Sequence, residues 1–387
     1  MKIRSFEIIK FRGLRDIKVS NVGKSLLVTG DNGSGKTRVL QALAFCYSMV
    51  TNINDELIIF DWSNFSRKLV DLGEVHIKID IEMDIDEYNA VLEVNKIAFE
   101  KSRFGREYKQ INELPTIHNE QTLITVELRE NFDSFARMFM GLERNLRQYN
   151  KPLISGRNYL DQLFLERIID NAQYERYSRD IGGIYWFDHD RDAPYLQQKK
   201  LDVISDSLYL KQKTLSPIYD NGKANWHNIV SAVVFLRNRL SEWFALTFRQ
   251  PEYKERIKRV EDFFAKNFSE IHLLGPSPDK YGNTGDFFVR YKGENFELSE
   301  LSGGELAMLK LAILAVDRLI YKSAVLIDEI ELHLSEVEQK RLFINLPILF
   351  PSSQFIITSH SRYFADHFAD NDLLVLVNGS KREINDR

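Results

Sequence analysis

Gly30-Asp31-Asn32-Gly33-Ser34-Gly35-Lys36-Thr37 fits the pattern G-x-x-x-x-G-K-[ST], and the rest of the chain can be read from this segment. The pattern demands a strand before it and a helix after it. Ser25-Leu26-Leu27-Val28-Thr29 is a short β-prone run, and apolar residues recur at helical spacing from Thr37 to about Met49. The glycines allow a tight wrap that turns successive N–H groups toward phosphate oxygens, and a helix beginning at Thr37 adds the positive end of its dipole. In such a loop Asn32, Gly33, Ser34 and Gly35 line a cradle, Lys36 reaches the β- and γ-phosphates, and the Thr37 hydroxyl can ligate Mg²⁺. A chance glycine loop would need neither flanking element.

Three later segments carry chemistry. Lys322 to Glu329 is an apolar strand ending in Asp328-Glu329. A strand buried between helices delivers its C-terminal side chains to the ligand crevice of an α/β sheet. There Asp328 would hold Mg²⁺ through water, and Glu329 would be the general base that orients and deprotonates an attacking water. Alone, such a run reads equally well as a capped strand. Leu301-Ser302-Gly303-Gly304-Glu305 opens a strongly apolar helix. Ser302 with Glu305 three residues on is a capping box, although a mere cap does not need the paired glycines. Phe355 to Ser361 is another β-prone run, ending at His360; a lone histidine after a strand is ordinarily structural.

Taken in order, the four segments resemble ABC-type ATPases, in which Leu-Ser-Gly-Gly-Glu ahead of an Asp-Glu strand is the signature motif. The resemblance implies an α/β ABC head: a P-loop NTPase sheet with an antiparallel β-layer and a helical lobe, binding ATP and Mg²⁺. It also implies a homodimer or higher homo-oligomer. The signature of one subunit, here Ser302, Gly303 and Gly304, would cover the γ-phosphate held by the P-loop of the other. The catalytic set would be Lys36, Glu329 and His360, the last as the switch histidine. Glu329-Ile330-Glu331-Leu332-His333-Leu334 looks like the DEPExHLHP segment of stand-alone ABC ATPases of the RecF, SMC and OLD-like kind. Ile330 replaces its proline and Ser335-Glu336 its final His-Pro, and His333 and Leu334 would lie at the dimer seam. Phe11-Arg12-Gly13-Leu14 is similar to the Phe-Arg-Gly opening of that group, which would put Arg12 beside the nucleotide. No Q-loop glutamine is evident. The strand Ile184 to Phe187 has its topological place but ends in Asp188-His189, either of which could serve. The likeness covers residues 1–50 and 295–377 by motif, and implies lobe I over 1–130, a helical lobe II with insertions over 131–300, and a completing segment over 301–387.

Elsewhere the patterning is plainer. Ile3, Phe6, Ile8 and Phe11 alternate with charged residues, as in an edge or half-buried strand. The run VHIKIDIEMDI after Glu74 predicts an antiparallel strand with one wet face, and Leu123 to Leu128 its partner. Residues 131–179 read as mostly helical, 193–224 as a surface excursion, and Trp226 to Phe268 as helices. Tyr281 to Gly285 separates two strands of a hairpin, Ile271 to Leu274 and Phe287 to Tyr291.

Composition narrows the function classes. The 387 residues are 44% hydrophobic and 28% charged, ordinary for a globular protein, and the net charge of -4 gives no global pull toward nucleic acid. DNA would need a local patch. The basic stretches at Lys2, Arg4, Lys10, Arg12, Arg15 and Lys18, and at Lys254, Arg256, Lys258 and Arg259, are interleaved with Glu7, Asp16, Glu255 and Glu261 and read first as solvated faces. Asp188-His189-Asp190-Arg191-Asp192 could bind a nuclease metal, but salt-bridged alternation in a turn is the better reading. The single cysteine, Cys46, excludes a disulfide framework and suits a reducing compartment. With no signal-like opening and no apolar run of roughly 20 residues, the expectation is a cytoplasmic protein without membrane contact. For biology, the resemblance extends to the small sensor or scaffold ATPases of bacterial anti-phage defence (Septu, PARIS and retron-linked systems), which work beside a separate effector nuclease. The alternative is a RecF-like DNA-repair ATPase that clamps DNA. A transporter ATPase subunit is disfavoured by the long interval between Thr37 and Leu301.

Overall fold

The computed structural model describes residues 1–51, 74–101, 121–131, 156–165, 167–187, 219–220, 223–224, 232–248, 250–268, 271–278, 284–331, 334–361, 364, 368–369 and 372–381. The chain opens with β1 (Lys2–Phe11), β2 (Leu14–Val19) and β3 (Ser25–Gly30), followed by helix α1 (Lys36–Thr51). Strand β4 (Glu74–Asp84), helix α2 (Ile85–Lys101) and β5 (Gln121–Asn131) follow, then helices α3 (Gly156–Leu165) and α4 (Asn171–Asp180) and strand β6 (Ile184–Phe187). Helices α5 (Ala232–Leu246) and α6 (Glu252–Asn267) lead to β7 (Ile271–Pro278), β8 (Thr284–Tyr291) and β9 (Glu294–Glu297). The last elements are α7 (Gly303–Asp317), β10 (Ala324–Ile327), α8 (Glu336–Leu349), β11 (Gln354–Thr358), β12 (Leu373–Val377) and β13 (Ser380–Lys381).

Two sheets enclose α1. The antiparallel layer runs β2-β1-β4-β5, and its period-2 pattern explains why: Ile77, Ile79 and Ile81 stand opposite Leu128, Val126 and Ile124, all buried on one face. β1 pairs with β2 on one side and β4 on the other, so it is an interior strand. An alternating pattern reports one wet face, and it is silent on whether the strand lies at an edge. The second sheet runs β13-β12-β3-β11-β10-β6, parallel except for the terminal hairpin. Its strands are apolar throughout because both faces are covered: Leu26, Val28, Leu326 and Ile356 join one core, Leu27, Val325, Ile327 and Ile357 the other. Fully burying each such side chain contributes about 1.5–3 kcal/mol.

The two cores divide the chain in a way its sequence did not suggest. The first joins the antiparallel layer, α1 and α2 with Tyr159, Leu160 and Leu163 of α3 and Tyr177 of α4. Helices α3 and α4, within the stretch expected as lobe II, thus share a core with the β-layer. Gly156 permits this, since a Cβ there would lie 2.6 Å from a methyl of Val91 on α2. The second core gathers α5, α6, β7, β8, α7 and α8. Helix α7 is its axis: Met308 to Val316 are all buried, as expected of a helix apolar on every side.

Asn131 ends β5, residues 132–155 lie outside the described set, and the described part of the expected helical stretch holds α3 and α4. The 193–224 excursion also lies outside it, except for a two-residue ladder of 219–220 with 223–224. Cys46 is buried within α1, where burial pushes its thiol far above the usual range. Among the described residues no helix is long and apolar enough to cross a membrane.

Candidate nucleotide site

Parallel register brings the chemistry to one edge. β11 pairs with β3 and β10, with Thr358 beside Val28 and Ile357 beside Ile327. The segments that follow β3 and β10, together with the end of β11, therefore emerge side by side at the C-terminal edge of the sheet, the usual ligand crevice.

The glycine loop needs its glycines for different reasons. Gly30, Gly33 and Gly35 all have positive φ (145°, 81° and 102°). A Cβ on Gly35 would lie 2.6 Å from Leu14 Cδ2, and one on Gly30 would strike the Leu376 carbonyl, whereas Gly33 faces open space. Two hairpin turns brace the loop. Arg12 and Gly13 (φ 46° and 88°) form the β1–β2 turn; Asn378 and Gly379 (51° and 81°) form the β12–β13 turn. Two-residue turns with both φ positive match the twist of the flanking strands. Gly379 N–H donates to Ser34 O at 3.1 Å, and Arg15 N–H to Gly379 O at 3.1 Å.

Lys36 Nζ folds back on the loop, donating to Gly30 O at 2.9 Å and Asp31 O at 3.0 Å. Burial lowers its pKa, opposed by the charges of Glu329, Glu331, Asp328 and Asp31. Thr37 and Asp328 meet: the Thr37 hydroxyl donates to Asp328 Oδ1 at 3.1 Å. Asp328 is 1% exposed, and its Oδ2 is buried without a hydrogen-bond partner. Glu329 takes a left-handed φ of 44°, and its Oε1 lies 3.7 Å from His360 Nε2. Glu331 accepts the His360 backbone N–H. Arg12 lies beside α1, donating to Gln41 Oε1 at 3.4 Å; burial and then Arg38 depress its pKa to about 10.

The structure thus brings together Asn32 to Thr37, Asp328, Glu329 and His360, with Arg12 alongside. Ser302 and Gly303 are exposed at the start of α7. The described hydrogen bonds of Ser302 stay in its own turn: its N–H donates to Glu305 Oε2 at 2.8 Å, and its Oγ accepts from Glu305 N–H at 3.3 Å. Burial pushes the Glu305 carboxyl up, but hydrogen bonds from Ser302 and Tyr291 outweigh this and hold it below the usual range. A Cβ on Gly303 would meet nothing within 4 Å. Asp188, His189, the rest of the 188–192 cluster, Leu332 and His333 lie outside the described residues; Leu334 is half-buried against the second core.

The sequence reading missed two participants. Thr358 is buried, donates to the Asp328 carboxylate and accepts the Glu329 backbone N–H, and no feature of its run flagged it. The Asn378-Gly379 brace left a partial signal, because Asn-Gly after a β-prone run favours a tight hairpin turn.

The residue types suit a phosphate-bound Mg²⁺. Among the described residues no group of three His, Cys, Asp or Glu side chains is placed to hold a metal alone. An orphaned carboxylate oxygen beside a threonine hydroxyl is the sparse protein share expected when phosphates and water supply the remaining ligands.

A parallel sheet with a P-loop, an acidic strand end, an antiparallel layer and a signature-type helix defines an ATPase head of the ABC class. The chain matches the SMC_N family, the RecF/RecN/SMC N-terminal domain, over residues 2–382, and belongs to it. It is 26% identical over 221 residues to the DNA replication and repair protein RecF of Clostridium beijerinckii, covering 53% of this chain and 54% of that protein. RecF of Lactobacillus johnsonii gives 26% over 225 residues, 54% and 56%. The chain spans about half the length of these curated relatives. Among solved structures it is similar to an Smc head bound to the C-winged helix domain of ScpA (TM-score 0.45, 13% identity, 99% of this chain and 96% of that one). The SMC head domain of Thermotoga maritima gives a TM-score of 0.40 at 14% identity, covering 98% and 97%.

Proposed function

We propose that this protein binds and hydrolyses ATP in sites shared between two copies, so that nucleotide engages the heads and hydrolysis releases them. The single observation behind this reading is the separation inside one chain. The phosphate loop, Asp328, Glu329 and His360 converge on one crevice, while Ser302 and Gly303 face solvent with their own turn as partner. A helix N-terminus with exposed N–H groups is suited to an anion it does not yet touch.

In this reading residues 32–37 cradle the phosphates, with Lys36 swinging from Gly30 O and Asp31 O to the β- and γ-phosphates, and Arg12 flanks the nucleotide. Thr37 and the orphaned Oδ2 of Asp328 would hold Mg²⁺, which when bound neutralises and orients the β- and γ-phosphates. Glu329 takes a proton from a water whose oxygen bonds to the γ-phosphorus as the bond to the β-phosphate bridging oxygen breaks. His360 holds the γ-phosphate from the neighbouring strand end. Ser302 and the Gly303 and Gly304 N–H groups of the second copy close the site. Glu329→Gln tests this: it should retain ATP binding, accumulate as an ATP-dependent dimer, and lose turnover by about 10²-fold or more. A Gln variant with undiminished turnover would remove Glu329 from the role.

For the process served, the RecF relatives favour a DNA-associated clamp. The alternative, a defence-system ATPase acting beside a separate nuclease, rests on the motif resemblance alone. Duplex DNA retained by the Gln variant with ATP, and released without it, supports the clamp; the absence of any nucleotide-dependent retention supports the alternative.

A further inference from the structure

We infer that Thr358 is a positioning residue whose single hydroxyl ties the Asp328 carboxylate and the Glu329 backbone to the strand end that carries His360. The inference rests on the proposed hydrolytic reading and deepens it.

Thr358 is fully buried at the end of β11. A hydroxyl has one proton to give and lone pairs to receive, and here both are used. It donates to Asp328 Oδ1 at 2.5 Å and accepts the Glu329 N–H at 2.8 Å. Its main-chain oxygen also accepts the Ile330 N–H at 3.3 Å. Two consequences follow. With Thr37 also donating to Oδ1, that oxygen is saturated, and Oδ2 is the one left over. The rotation of the Asp328 carboxylate is thereby set. Second, Glu329 holds a φ of 44°, a region a residue with a Cβ keeps only when its surroundings impose it. The Thr358 hydroxyl is the acceptor that holds its N–H there.

Glu331 completes the link from the other direction by accepting the His360 N–H. The turn 328–331 and the strand end 358–360 are thus tied by four hydrogen bonds running both ways. In the proposed mechanism they carry the base and the γ-phosphate sensor, so the two would move as one body.

A buried threonine can also be a purely structural residue, and the experiment separates the cases. Thr358→Val keeps the shape and removes the hydroxyl; Thr358→Ser keeps the hydroxyl. The positions predict that Val lowers kcat for ATP about tenfold or more, while Kd for a fluorescent ATP analogue stays within about threefold. ATP-dependent dimerisation should persist, and Ser should recover most of the lost rate. Should Val fail to fold, Thr358→Cys, a weak donor of similar size, carries the same expectation. The inference is overturned if kcat per nucleotide-binding chain is unchanged in Val or Cys. It is equally overturned if Ser is as slow as Val. If the unmodified protein and Glu329→Gln hydrolyse ATP at the same rate, the hydrolytic reading itself has failed, and that outcome is visible before any Thr358 variant is made.

Discussion

The phosphate-loop crevice and the signature turn are built on opposite principles. In the crevice several groups are tightly constrained: Gly35 has no space for a Cβ, Asp328 is sealed, and Glu329 is held in a left-handed conformation by a neighbouring strand. At the signature turn Ser302 and Glu305 cap each other, Tyr291 also bonds Glu305, Gly303 has open space around it, and the turn faces solvent. One region is pre-organised by its own chain. The other is held by its local cap and faces open space; in the proposed reading it meets the phosphate of a second copy, which its glycines would let come close.

Substitutions can break or sharpen this contrast. The largest effect belongs to Lys36→Ala, which removes the loop's one ammonium; ATP turnover should fall by about 10²–10³-fold, measured by phosphate release, and ATP affinity should fall with it. Next come paired glycine changes. Gly35→Ala forces a side chain into Leu14 at a positive φ and should cost about 1–3 kcal/mol of stability, read as a lowered Tm. Gly303→Ala, in the first turn of α7 with nothing near it, should leave stability unchanged or raise it by up to about 1 kcal/mol, read as an equal or higher Tm, and yet suppress ATP-dependent dimerisation. Equal destabilisation by the two would dissolve the distinction. Between these two on folding lies Ser302→Ala, which loses a cap of about 0.5–2 kcal/mol. Calorimetry should find ATP binding to the single chain intact in that variant while turnover drops.

Much of this was legible in the chain itself. The P-loop pattern, the apolar strand before Asp328 and the alternation after Glu74 each state a local rule that the fold obeys. What the reading left open was decided by non-local information. Ile3 to Phe11 alternates whether a strand has one neighbour or two. Residues 156–181 are amphipathic helices whichever core they join, and Gly156 against Val91 makes the choice in space. Thr358 ends a β-prone run like any other threonine; its two bonds exist only because β10 and β11 are parallel neighbours. The tight turn at Arg12-Gly13 was hidden because arginine is not a residue that advertises positive φ.

The decisive measurement is ATP turnover per chain across a dilution series, run beside sedimentation of the same samples. A site completed by a second copy requires that turnover per chain fall as the protein dilutes into monomers, and that adding excess Lys36→Ala protein, inactive alone but with its signature intact, restore it. Turnover that stays constant where only monomers sediment would contradict the account.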